Sequence, residues 1–259
     1  MDLHLDGKNV LITGGSKGIG RAAAEVLAGE GCNLVLVART QKDLDTAKAA
    51  LLAKFNTRVE TVAADLSESR NVDRLAGEFP DIDILVNNAG AIPGGNLIEI
   101  DEAKWRAAWD LKVFGYVNMC RAYYALMRAR KSGVIVNVIG AAAQTRDPGY
   151  ICGVAGNAAL AAFSQSLGHA SVQDGVRVVA IHPGPVATDR LVTLLRKRAQ
   201  DRTGDPETWR ELTKSMPFGR PAKPEEIGAM IAFLASDRSG YTSGSVVTID
   251  AGISARAAS

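Results

Sequence analysis

Two hydrophobic rhythms take turns along this chain. Short runs that are mainly apolar occupy positions 10–12, 33–38, 58–63, 82–86, 134–139, 176–181 and 245–249. Between them, apolar residues recur every three or four positions, as in Ala22, Ala23, Val26 and Leu27, and again over 43–55, 73–79, 101–130, 156–172, 191–200 and 225–234. The runs predict strands and the spaced stretches predict amphipathic helices. Strands without polar alternation are buried on both faces, and strict strand–helix alternation calls for right-handed crossovers. The expected fold is α/β: a single-domain, Rossmann-type doubly wound parallel β-sheet with helices on both faces, spanning 1–259.

The first strand runs into Thr13-Gly14-Gly15-Ser16-Lys17-Gly18-Ile19-Gly20, which opens the first helix. A helix start leaves unpaired N–H groups and a partial positive charge, and glycines let phosphates approach that backbone closely. The spacing Gly14-x-x-x-Gly18-x-Gly20 differs from the common Gly-x-Gly-x-x-Gly fingerprint, and taken alone it also reads as an ordinary glycine-rich turn. The second strand shifts that balance. It ends at Arg39, about 20 residues beyond the loop, where dinucleotide folds place the residue that selects the ribose. An arginine there suits a 2′-phosphate, and Lys17 adds a second cation, so NADP(H) is expected over NAD(H).

Thirty Lys and Arg against 28 Asp and Glu leave the chain near neutral, which argues against a nucleic-acid or membrane-surface partner and for a small-molecule one. Cys32, Cys120 and Cys152 are widely spaced and odd in number, as in a reducing compartment. No signal-like segment precedes the first strand, and the expected location is cytoplasmic. His4, His169 and His182 stand apart, so no metal site is expected and each histidine reads as a packing or hydrogen-bonding residue. The one irregular region, 187–224, reads as a lid over the crevice. Its Arg196, Lys197, Arg198 and Arg202 point either to an anionic substrate or to a solvated face.

The ordered set resembles the short-chain dehydrogenase/reductase family over nearly the full length. The motifs that carry the resemblance are the loop from Thr13 to Gly20, Asp65-Leu66, Asn87-Asn88-Ala89-Gly90, Pro183-Gly184 with Thr188, and Gly240-Tyr241-Thr242-Ser243-Gly244 leading to Asp250-Ala251-Gly252. The resemblance implies a loop (Thr13, Gly14, Ser16, Lys17, Gly18, Ile19, Gly20) that binds the pyrophosphate. It places Asp65 and Leu66 at the adenine, Asn88 at the adenine-side ribose region, and Val186 and Thr188 at the nicotinamide amide. It also implies a homodimer or homotetramer formed through the helices at 101–130 and 156–172 and the C-terminal segment.

The family's Asn, Ser, Tyr and Lys do not carry over. Val134-Ile135-Val136-Asn137-Val138 matches the strand before the family serine and puts Gly140 at that position. Asn157-Ala158-Ala159-Leu160 resembles the family's Lys-Ala-Ala-Leu, which puts Asn157 at the lysine and Gly153 at the tyrosine. Lys112 stands at the asparagine. No lysine occurs between Lys131 and Lys197, so no tyrosine in that interval has a lysine partner. Losing the general acid alone lowers a rate by about 10² to 10⁴.

Three functions are compatible with this. The first is an oxidoreductase of carbonyl or alcohol substrates with redirected or weak activity, in which Tyr150, Lys112 or a water supplies the proton. The second is a non-redox NADP(H)-binding protein acting as a sensor or partner subunit. The third is a lyase or isomerase on the same fold.

Overall fold

A computed structural model describes residues 1–256, so the last three positions of the expected domain lie outside the described residues. The order of elements is β1 (Asn9–Thr13), α1 (Gly18–Gly29), β2 (Asn33–Ala38), α2 (Gln41–Leu52), β3 (Val59–Ala63), α3 (Ser69–Glu78), β4 (Ile84–Asn87), α4 (Glu102–Trp109), α5 (Gly115–Arg130), β5 (Gly133–Val138), α6 (Ala142–Thr145), α7 (Ile151–Ser171), β6 (Val176–Pro183), α8 (Asp189–Thr203), α9 (Trp209–Lys214), α10 (Pro224–Ala235) and β7 (Val246–Ile249). The seven strands form one sheet in the order β3-β2-β1-β4-β5-β6-β7, and every pair is parallel. No helix among the described residues is long and apolar enough to cross a membrane.

Each strand alternates its side chains between two separate cores. Val10 and Ile12, Leu34 and Leu36, and Ile84 and Val86 pack with α1, α2 and α10 on one face. Leu11, Val35, Val37 and Leu85 pack with α3, α5 and α7 on the other. Burial on both faces is why these strands are mainly apolar.

Three differences from the sequence expectation bear on the site. The long helical stretch at 101–130 is interrupted by a π-helical turn at Asp110–Phe114, which divides it into α4 and α5. α7 starts at Ile151, five residues before the expected 156, even though Gly153 and Gly156 are poor helix formers. Tertiary packing overrides propensity here, because Gly156 lies against Val113, Trp109 and Ile92 where a larger residue would crowd. The region 187–224 is also more regular than expected, with α8 longer at both ends than 191–200 and with α9 as an additional short helix.

Candidate functional site

The chain runs outward from β1 to β3 and then returns to β4 on the other side of β1, so the order reverses between β1 and β4. Open parallel sheets bind ligands in the crevice at the carboxyl ends of the strands flanking such a reversal. The glycine loop follows β1 there. α1 has no side-chain cap and no acidic residue in its first turn, so its first N–H groups remain available. A Cβ on Gly20 would overlap the Gly14 carbonyl and come within 2.5 Å of the Asn88 amide, which makes glycine the residue that lets the loop close.

Thr13 and Asn88 fix the loop to the neighbouring strand. The Thr13 hydroxyl accepts from the Asn88 and Ala89 N–H groups at 2.9 and 3.0 Å, and Asn88 Nδ2 donates to the Thr13 and Gly14 carbonyls at 3.1 and 3.2 Å. Gly14, Ser16, Gly18 and Ile19 are half-buried along the loop, and Thr188 stands over Gly18. Lys17 is exposed and pairs with Asp43 at 2.8 Å, whereas Arg39 is exposed at the end of β2. Asp65 accepts from the Ser67 N–H and hydroxyl; the backbone hydrogen bond in particular holds its carboxyl below the usual range. The Leu66 side chain is buried in the core, which leaves only its backbone to face a ligand. Val186 is buried and bridges to Ala222.

A buried polar network joins the strands beneath the crevice. Asn87 donates to Asn137 at 2.9 Å, and Asn137 donates to the Ser164 hydroxyl on α7 at 2.9 Å. This network sets the spacing of the β4 end, the β5 end and α7, from which the remaining candidates project.

Lys112 sits in the π turn with 9 % of its surface exposed. Its stem crosses Gly90, where a Cβ would overlap Cδ. Its Nζ donates to the Tyr116 hydroxyl at 3.2 Å and to the Val138 and Ile139 carbonyls at 3.1 and 3.0 Å. An ammonium has three N–H donors, and all three are used. Burial, reinforced by the charge of Arg190, pushes its pKa down to about 7.

Gly140 follows directly, with φ of +143°. Side chains rarely adopt that backbone conformation, and a Cβ there would also stand 3.0 Å from Asn157 Nδ2. Asn157 is buried, and its Oδ1 has no hydrogen-bond partner among the described residues. Gly153 lies beneath the ring of Tyr150, where a Cβ would overlap Cε1 and Cζ. Tyr150 caps α7 and also bridges to Gly95, so the loops after β4 and β5 meet at this residue. Burial raises the Tyr150 pKa, partly offset by the adjacent Arg190 guanidinium.

Arg190 carried no sequence signal, and His182 was read only as a packing or hydrogen-bonding residue. Arg190, in the first turn of α8, donates from Nη2 to the Ile92 carbonyl across the crevice and lies beside Tyr150. His182, at the end of β6, is buried with neither ring nitrogen bonded among the described residues; burial and the charge of Lys112 lower its pKa. Of the four basic residues that pointed either to an anionic substrate or to a solvated face, three are engaged with carboxylates: Arg196 with Glu207, Lys197 with Glu99 and Asp201, and Arg198 with Asp147. Tyr124 and Arg128, at Tyr-x-x-x-Arg spacing, both contact Asp174 on the far side of the sheet from α1.

The sheet order, the reversal point and the glycine loop are shared with known proteins. The family model described as Enoyl-(Acyl carrier protein) reductase matches residues 14–254. Among curated proteins, the chain is 35% identical to Oxidoreductase UcpA of Salmonella typhimurium, covering 96% of this chain and 95% of that one. It is 31% identical to Dehydrogenase/reductase SDR family member 6 of Rattus norvegicus, covering 96% and 98%. Among solved structures, L-sorbose reductase from Gluconobacter frateurii, complexed with NADPH and L-sorbose, superposes with a TM-score of 0.89 at 34% identity over 98% of each chain. A match that runs from the glycine loop to the last strand, on the same seven-stranded sheet, places this chain in the short-chain dehydrogenase/reductase family of oxidoreductases.

Proposed function

We propose that this chain is an NADP(H)-dependent oxidoreductase of a small carbonyl or alcohol substrate, working with a rebuilt proton-donating site in place of the family's Asn-Ser-Tyr-Lys set. The observation that carries the cofactor half is the bare N-terminus of α1, with neither cap nor acidic residue, opening into the crevice at the strand reversal. Arg39, exposed at the end of β2, favours the 2′-phosphorylated dinucleotide, and a solved relative binds NADPH. When bound, the nicotinamide supplies or accepts the hydride.

The proton is the task left to this chain's own side chains. Gly140 and Gly153 hold no donor, and Asn157 carries no charge. Lys112 has its three N–H groups committed to oxygens, and in its protonated form, which burial confines to below a pKa of about 7, it puts positive charge beside the place where alkoxide charge develops. Tyr150 is the donor. Its hydroxyl has no acceptor among the described residues, and its raised pKa keeps it protonated near neutrality. Arg190 beside it stabilises the phenolate left behind.

The test is a titration of the purified protein with NADPH and NADH, followed by hydride transfer to a carbonyl panel on the same sample. Tighter NADPH binding, with turnover that falls about 10² to 10⁴-fold in Tyr150→Phe, is the expected result. Failure to bind either nucleotide removes the cofactor assignment. A second reading, a non-redox NADP(H)-binding protein, draws on the simultaneous absence of side chains at 140 and 153; binding without any turnover would favour it.

A further inference from the structure

The charges on α8 divide into two groups. Arg196, Lys197 and Arg198 are each paired with a carboxylate, and two of these pairs reach other parts of the chain, Lys197 to Glu99 and Arg198 to Asp147. They tie the helix down over the loops that follow β4 and β5. Arg190, one to two turns earlier, has no carboxylate partner among the described residues; its one backbone bond runs to the neutral Ile92 carbonyl. That bond steadies the guanidinium at the crevice beside the Tyr150 hydroxyl, and the N–H groups turned to neither Ile92 nor Tyr150 remain as donors.

Lys112 has the same character. Its acceptors are a phenol and two carbonyls, and among the described residues the one charge that perturbs it is Arg190, a like charge. Lys112 is buried with its donors filled, whereas Arg190 is exposed at the crevice with no carboxylate paired to it among the described residues, so Arg190 is the cation open to an anionic group of a ligand. The cofactor's phosphates belong at the α1 end of the crevice, beyond the first strand. Arg190 instead lies beside Tyr150, at the end where the proton is handled.

We infer that Arg190, carried by the start of α8 and steadied by the Ile92 carbonyl, grips a carboxylate on the substrate, so that the substrate is an oxo acid or the corresponding hydroxy acid. A planar guanidinium has five N–H donors, and those not turned to Ile92 and Tyr150 are left to meet a carboxylate. The grip places the substrate's carbonyl near the Tyr150 hydroxyl over the buried Lys112 charge. This assignment rests on the oxidoreductase reading for the carbonyl, though the carboxylate grip itself can be measured without turnover.

The experiment is calorimetric titration of the whole protein, free and saturated with NADPH, with 2-, 3- and 4-oxo acids of four to six carbons. Each acid is paired with its methyl ester, and inorganic phosphate forms a third arm. At least one acid is expected to bind about tenfold or more tightly than its ester. Arg190→Met should abolish that preference, Arg190→Lys should restore part of it, and Lys197→Met should leave it intact. Acids binding no better than esters, binding by no acid, or an unchanged preference in Arg190→Met would overturn the assignment, as would phosphate outcompeting every acid. Carboxylate preference in the free protein with no NADPH binding would count against the cofactor reading and leave the Arg190 site standing.

Discussion

The Tyr150 ring occupies the volume into which any side chain at Gly153 would grow. The two positions are one packing unit, with the glycine making room for a phenol that comes from the turn before α7. A tyrosine placed at 153 alone should therefore not fit. Gly153→Tyr is expected to destabilise the protein by about 1 to 3 kcal/mol through overpacking, and the double change with Tyr150→Ala should recover most of that loss. Urea unfolding of the two variants and the parent measures both numbers.

Gly140 poses a backbone problem. At φ of +143°, a side chain is strained before it meets the Asn157 amide. Gly140→Ser and Gly140→Ala should each destabilise by about 1 to 3 kcal/mol, with similar values because the strain belongs to the Cβ and not to the hydroxyl. A serine variant markedly more stable than the alanine one would show that a hydrogen bond to Asn157 outweighs the strain.

The buried Lys112 makes stability depend on pH. In the unfolded chain its pKa is the ordinary 10.5, and in the fold burial brings it down to about 7. Between these values the unfolded state binds more protons, so this group's contribution to stability rises with pH; below about 7 the full cost of burying the ammonium is present. Over pH 7 to 8.5 the parent should gain up to about 1.4 kcal/mol per pH unit from this residue. The upper bound avoids the cysteines, since Cys32 and Cys120 are pushed up to about 12 by burial and act in the opposite sense above their ordinary value of 9.0. Denaturant midpoints of the parent and Lys112→Met across that window should diverge, with the variant flatter.

Arg39 and Lys17 should contribute unequally to cofactor choice. Lys17 already has Asp43 at 2.8 Å, whereas Arg39 stands exposed at the strand end. Arg39→Asp is expected to reverse the preference between NADPH and NADH, weakening NADPH about tenfold or more, while Lys17→Met changes it less. Fluorescence titrations with both nucleotides decide this.

Asn88 holds the loop from the side. Removing its two bonds to the Thr13 and Gly14 carbonyls should weaken dinucleotide binding by about 1 to 3 kcal/mol with little change in secondary structure. Circular dichroism and a binding titration on Asn88→Ala separate those two effects.

The architecture was legible because burial on both faces imposes an apolar run on the central strands, and Leu34, Val35, Leu36 and Val37 show this directly. The glycine loop was legible for a related reason, since few residues other than glycine survive at Gly20. The start of α7 was not, because its glycines are explained by Tyr150, which precedes the helix, and by Val113, which is distant in sequence. Arg190 was likewise invisible. In the sequence the basic run stood out and left a ligand or a solvated face open; in the fold Arg196, Lys197 and Arg198 are satisfied by Glu207, Glu99, Asp201 and Asp147, whereas the isolated arginine reaches the crevice.

The π turn at Asp110–Phe114 gives the position of the Lys112 ammonium an origin unrelated to residue type. One extra residue in a helical turn advances everything on one side of it by about 100° relative to the other. α4 and α5 can then each keep their own buried stripe while Lys112, at the seam, points to the ends of β5. Removing any one residue of the turn would heal the helix and rotate the lysine away from the Val138 and Ile139 carbonyls, even with every other residue unchanged. The charge on the crevice floor is set by a count of residues as much as by their identity.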